Sequence, residues 1–106
     1  MGITFTAGQT LMDGTEQTLW DTTADNHFAA HIFLDTMASG DTVEVRVYVY
    51  DEQDTTMRLE DLVTLTGVQA SPAYYIPFIT TKEYKVTLKQ TAGTNRTYSW
   101  QKIQVT

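Results

Sequence analysis

Cysteine is absent from the chain, which removes disulfides, thiolate metal sites and cysteine nucleophiles at once. Histidine is nearly so, with His27 and His31 alone. On a strand, rising about 3.3 Å per residue, two histidines four apart stand roughly 13 Å from each other and cannot share an ion. No apolar run approaches the roughly 18 residues of a membrane span, and the N-terminus lacks the basic flank and apolar stretch of a signal peptide. The expectation is a protein made and used in a cytoplasm, or one whose sequence starts after processing. Basic residues are scarce, seven against thirteen carboxylates, for a net charge of −6. That balance argues against a nucleic-acid partner, which calls for a basic stripe. Catalytic signatures are missing too. There is no G-x-S-x-G elbow, phosphate-cradling loop or dinucleotide fingerprint, and Ser39, Ser71 and Ser99 have no histidine close in sequence. Asp51, Glu52 and Asp54 cluster without the ligand spacing or glycine of a calcium loop. The chain reads as a non-enzyme with no cofactor and no metal.

What the chain does have is a period of two. In Thr42–Asp51, Val43, Val45, Val47 and Val49 alternate with Glu44, Arg46, Tyr48 and Tyr50. Strand side chains point to opposite faces in turn, so the valines pave a core. In His27–Asp35, Phe28, Ala30, Ile32 and Leu34 share one face, and His27, Ala29, His31, Phe33 and Asp35 the other. The turn chemistry of residues 36–41 between them predicts an antiparallel hairpin. Tyr84, Val86 and Leu88 form a third inward set, opposed by Glu83, Lys85, Thr87 and Lys89. A turn at 91–95 leads to a closing strand, 97–105. There Tyr98 and Trp100 share a face while Ile103 and Val105 occupy the other, which suggests a bulge or an end that leaves the sheet.

The segments 15–20 and 58–66 read as further strands. Leu59, Leu62 and Val63 also fit helical spacing, but a chain that is about one-fifth threonine favours strand. Pro72 and Pro77 make 73–76 an edge strand or a crossover. Six or seven short strands without a helix predict an all-β, single antiparallel β-sandwich, jelly-roll or immunoglobulin-like, over residues 15–106. Residues 1–14, with Gly2, Gly8 and Gly14, read as an extended N-terminal arm. Val45, Val47, Ile32 and Leu88 are the expected core.

Two surface features point to binding. Residues 1–81 carry two arginines against twelve carboxylates, while residues 82–106 carry five cations against Glu83. Either these charges cancel within the fold or they form a bipolar docking surface. Phe33, Tyr48, Tyr50, Tyr74 and Tyr75 include aromatics that fall opposite the core faces of their strands, the kind of side chain enriched at interfaces. With Lys85 and Lys89 they are the candidate interface residues.

Asp13-Gly14-Thr15-Glu16-Gln17-Thr18-Leu19, then Met37-Ala38-Ser39-Gly40-Asp41 before Val43-Glu44-Val45-Arg46-Val47-Tyr48, and finally Leu88-Lys89-Gln90-Thr91-Ala92-Gly93-Thr94 before Arg96-Thr97-Tyr98-Ser99-Trp100 carry a likeness. Over roughly residues 13–103 the chain resembles small β-sandwich structural proteins of tailed bacteriophages and related prokaryotic viruses. The resemblance implies a virion component made in the host cytoplasm, such as a capsid decoration or cement protein. Its implied partners are the major capsid protein and other copies of itself, with no nucleic acid and no membrane. A tail- or fibre-associated module and a carbohydrate-binding module are the alternatives.

Overall fold

A computed structural model describes residues 2–22, 26–51, 53–81 and 84–105. Eight strands follow one another in it: β1 (Ile3–Leu11), β2 (Gln17–Thr22), β3 (Asn26–Phe33), β4 (Thr42–Asp51), β5 (Thr56–Thr66), β6 (Ala73–Thr81), β7 (Tyr84–Ala92) and β8 (Thr97–Val105). They form two four-stranded antiparallel sheets, here sheet A, in the order β1-β8-β3-β6, and sheet B, in the order β2-β7-β4-β5. The chain is therefore an all-β sandwich, as the alternation predicts. The two interleaved orders are those of a double Greek key, the jelly roll, which resolves the topology.

Several local expectations change. Residues 3–11 are not a free arm: they pair along their whole length with β8 as the edge of sheet A. The segments around Ile32 and Val45 do not form a hairpin, because β3 lies in sheet A and β4 in sheet B. The connector 34–41 crosses between the sheets, with Leu34 and Met37 buried as plugs. Among consecutive strands only β4 and β5 pair directly. Strand β8 runs without a bulge, so Ile103 stays in the sheet, on the face opposite Trp100. Residues 56–66 form a strand, and β6 is an edge strand. Its Pro77 sits at a bulge where Pro77 and Phe78 oppose Ala29 alone, a position that asks for no ladder hydrogen bond.

Three of the four valines of β4 are buried as their spacing predicts, and Val49 is half-buried. Val43, Val45 and Val47 are buried with Val86 and Leu88 of β7, facing Phe28, Ala30, Ile32, Ile76 and Tyr98 of sheet A. Aromatic rings lock the two sheets together. Phe28 stacks on Tyr84 at 3.7 Å, and Trp20 meets Phe28 edge-on at 6.1 Å and Trp100 at 5.1 Å. Such pairs add about 0.5–1.5 kcal/mol each beyond their burial. Burial alone pushes the Tyr84 phenol up to about 12. Gly8 is dictated by this packing, since a Cβ there would come 2.6 Å from the Trp100 ring.

One end of the sandwich is closed by a buried carboxylate. Asp41 is 1% exposed. It accepts hydrogen bonds from the backbone N–H of Ala38 at 2.9 Å and of Thr94 at 3.1 Å, and from the Arg96 guanidinium. Its own carbonyl accepts from the N–H of Gly67 at 2.8 Å. The β3–β4 connector, the turn after β5 and the β7–β8 crossover thus meet at one residue. Gly93 has φ +87°, and a Cβ there would fall 2.0 Å from the Asp41 carboxylate oxygen. Gln90 completes the cluster. Its amide donates to the carbonyls of Ala92 and Thr94, and its oxygen accepts from the Arg96 N–H and the Tyr98 hydroxyl. The hydrogen bond from Ala38, followed by that from Arg96, holds the Asp41 carboxyl below its usual range and outweighs the opposing cost of burial.

A depressed folded-state pKa stabilises the fold above the unfolded carboxyl value, and that stabilisation is lost as pH falls through the folded value. Asp41→Asn is expected to lower Tm by several degrees at pH 7. The gap to the parent should narrow as pH drops below about 4. Thermal melts of both proteins from pH 7 to pH 2.5 check this.

Candidate functional surface

In an antiparallel ladder, directly opposed residues project from the same face. The register therefore sorts every strand residue into inner and outer sets. On the outer face of sheet B the charged residues meet one another. Glu16, from the loop before β2, pairs with Arg46 at 3.1 Å and accepts from the Tyr48 hydroxyl at 2.8 Å. Arg46 reaches Glu44 at 2.9 Å. The Lys85 ammonium lies 4.7 Å above the Tyr48 ring and stands opposite Asp21 in the register, as Lys89 stands opposite Glu44. Partial burial pushes the Glu16 carboxyl up, but the hydroxyls of Thr87 and Tyr48 and the cations Arg46 and Lys85 outweigh it, and the net shift is downward. Tyr48 is raised by the same burial and by the Glu16 carboxylate. Three carboxylates thus face three cations, two of which, Lys85 and Lys89, come from the basic segment 82–106. Leu59 and Leu62 of β5 break the pattern, standing opposite Tyr48 and Arg46.

The acidic loop is satisfied in the same way. Asp51 accepts from the backbone N–H of Gln53 and of Asp54 and pairs with Arg58 at 2.8 Å, and Asp54 also binds Arg58. Glu52, Lys82 and Glu83 lie outside the described residues. Among the described residues no cluster of three or more histidine, aspartate and glutamate side chains could hold a metal ion.

The outer face of sheet A is chemically different. Its rows run across the four strands: Gln9, Ser99, Phe33 and Ala73; Ala7, Gln101, His31 and Tyr75; Phe5, Ile103 and Ala29; with Leu11 and Thr97 at one end and Ile3 and His27 at the other. Not one of these residues is an Asp, Glu, Lys or Arg. Ile3, Phe5, Leu11, Tyr75 and Ile103 are 42–72% exposed, an unusual density of apolar surface for a monomer. The His31 ring lies between Phe33 at 6.1 Å and Tyr75 at 5.3 Å. Small side chains leave hollows among these large ones. One, of about 250 Å³, is lined by Ala29, His31, Tyr75, Gln101 and Ile103, with the inward-facing pair Ala30 and Lys102 at its floor. A wider one, of about 520 Å³, lies over Ala7, Gln9, Phe33 and Ser99. Gln101 borders both.

The candidate residues therefore divide. Phe33 and Tyr75 stand on the neutral face of sheet A. Tyr48, Lys85 and Lys89 belong to the charged face of sheet B, where Tyr48 and Lys85 are engaged with their neighbours. Tyr50 shares that face, opposite Met57. Tyr74 turns inward and packs against the core, where burial first, and then Asp61, raise its phenol. Ile3, Phe5 and Leu11 are not among the candidates because Gly2, Gly8 and Gly14 give residues 1–14 the composition of an arm. The alternation of Ile3, Phe5, Ala7, Gln9 and Leu11 with threonines and Gly8 was the available signal. His31 and Gln101 are neighbours only through the β3–β8 register, which no local pattern shows.

Tyr75→Lys and Ile103→Lys are expected to fold with stabilities within about 0.5 kcal/mol of the parent, as exposed positions do. Val45→Lys should fail to fold, because it places an unpaired ammonium between the sheets. Denaturant titrations of the three variants check the assignment of faces. Against family models, curated proteins and solved structures the chain matches nothing, and the chemistry of this face rests on its own side chains.

Proposed function

We propose that this jelly-roll domain works by attachment, as a structural protein that docks on a larger assembly through the outer face of sheet A. In this reading it is a non-enzymatic decoration or cement protein on the capsid of a tailed phage, bound to the major capsid protein. The observation that carries the docking reading is a four-strand face rich in exposed apolar and aromatic residues and free of formal charge. Such a face favours burial against another surface at about 25 cal/mol per Å² of apolar area. Support for the viral setting comes from the turn-and-strand likeness in residues 13–103 and from the use of jelly rolls in capsid domains. A fold by itself does not assign function.

Of the candidate interface residues, the proposed contact keeps Phe33 and Tyr75, adds Ile103 and leaves out Lys85 and Lys89. The lysines already face Asp21, Tyr48 and Glu44, whereas the sheet A side chains are free to meet a partner. Docking through a neutral face is insensitive to salt, because there is little for counter-ions to screen. A second reading, a carbohydrate-binding module, is favoured by one hollow, which the Tyr75 ring lines together with His31 and Gln101. Rings and amides in that arrangement suit sugar faces and hydroxyls.

The test is reconstitution on shells that lack the protein, with copies per particle counted by mass spectrometry. Multi-copy occupancy is expected, unchanged between low and high salt. It should be lost in Tyr75→Lys and Ile103→Lys and retained when Lys85 and Lys89 are both changed to Gln. Absence of the parent from the shells contradicts the capsid reading. A glycan-array signal that disappears in Tyr75→Ala favours the sugar reading instead.

A further inference from the structure

A β-sandwich has four sheet edges, and three of these are guarded. Strand β2 has a register shift between Thr18 and Trp20 and carries Asp21. Strand β5 is shifted opposite Val47 and Tyr48 and carries Arg58, Glu60 and Asp61. Strand β6 has both a bulge and Pro77. Bulges, charges and proline are the devices that keep an edge from pairing with another chain. Strand β1 has none of them. Its nine residues, ITFTAGQTL, contain no charged side chain and no proline, and they pair with β8 without a register shift.

We infer that β1 pairs antiparallel with β1 of a second copy of this chain, joining two A sheets into one eight-stranded sheet about a two-fold axis at Ala7. The sequence of the strand is self-complementary in that register. Ile3 meets the partner copy's Leu11, Phe5 meets Gln9, and Ala7 meets Ala7, all on the outer face. Thr4 meets Thr10 and Thr6 meets Gly8 on the inner face. Because paired positions differ by even numbers, every side chain keeps its face, which a one-residue slip would not allow. The pairing covers Ile3 and Leu11, which are 72% and 64% exposed, with each other. It places no carboxylate against a carboxylate, although the chain as a whole carries −6. It also extends the neutral outer face unbroken across both copies. The inference stands apart from what that face binds, since a monomer would refute it and leave the docking reading intact.

Sedimentation of the full chain over a wide concentration range reads the association, with 12.0 kDa as the monomer mass. A reversible dimer is expected. Ala7→Lys sets two ammonium groups opposite each other at the axis and should raise the dimer dissociation constant roughly tenfold or more. Thr64→Lys, on the edge of sheet B, should leave it unchanged. The absence of native cysteine makes a second readout clean, independent of how Ala7→Lys folds. A short bismaleimide should join Ala7→Cys copies and mixed Phe5→Cys with Gln9→Cys copies, but not Gln9→Cys alone. Monomer at every concentration, or a dimer that ignores Ala7→Lys and gives no Ala7→Cys cross-link, overturns the inference.

Discussion

A jelly roll sends most of its consecutive strands to opposite sheets, so its integrity depends on the connections between them. In this chain that constraint falls on Asp41. An ionised carboxylate inside a protein is tolerated only when its oxygens are well supplied with donors. Here the Ala38 and Thr94 N–H groups and the Arg96 guanidinium supply them. Each donor belongs to a connection that crosses the sandwich, and the Asp41 carbonyl takes in the turn after β5 through Gly67. The register of β4 against β7, and of β8 against β3, is thereby pinned at one end of the fold. The aromatic contacts of Trp20, Phe28, Tyr84 and Trp100 then bind the sheets through the middle. Gly93 belongs to the same device, because any larger residue would occupy the space of the Asp41 carboxylate.

Once the sheets are fixed, their outer faces diverge. Sheet B answers its own charges: Glu16, Arg46 and Glu44 form a chain of ion pairs, and Lys85 covers Tyr48. Exposed pairs of this kind contribute about 0–1 kcal/mol each, so their consequence is a hydrated, self-satisfied surface more than added stability. Sheet A has no such arrangement. Its outer side chains are large apolar ones, small ones and the amides and imidazoles of Gln9, Gln101, His27 and His31, and they leave hollows bordered by Gln101. The fold alone does not require a neutral outer face, as sheet B demonstrates. A face that remains exposed, rich in apolar side chains and without Asp, Glu, Lys or Arg has its natural counterpart in another surface.

Much of the architecture was legible because a period of two is local. Val43, Val45 and Val47 declare their buried face by alternation, as do Phe28, Ala30 and Ile32. Sheet membership is not local. The connector 34–41 has the composition of a hairpin turn, yet it is a crossover whose Leu34 and Met37 are core plugs. Asp41 looked like an ordinary turn residue, since its partners Thr94 and Arg96 are more than fifty positions away. Ile103 seemed out of phase with Trp100 only while the outward face of β8 was assumed to be wet. The same assumption turned the alternating apolar residues of β1 into an arm. Sequence reasoning expects the apolar side of a strand to be the buried one, and at β1 and Ile103 the apolar residues stand on the exposed outer face instead.

The proposed working surface is the outer face of sheet A and not that of sheet B. Carbene footprinting of the protein in its native assembly, compared with the purified chain, measures this residue by residue. Strong protection of Phe33, Tyr75, Gln101 and Ile103 is expected, with Tyr48, Leu62, Lys85 and Lys89 labelled equally in both states. Protection of the sheet B residues with sheet A still labelled would contradict it.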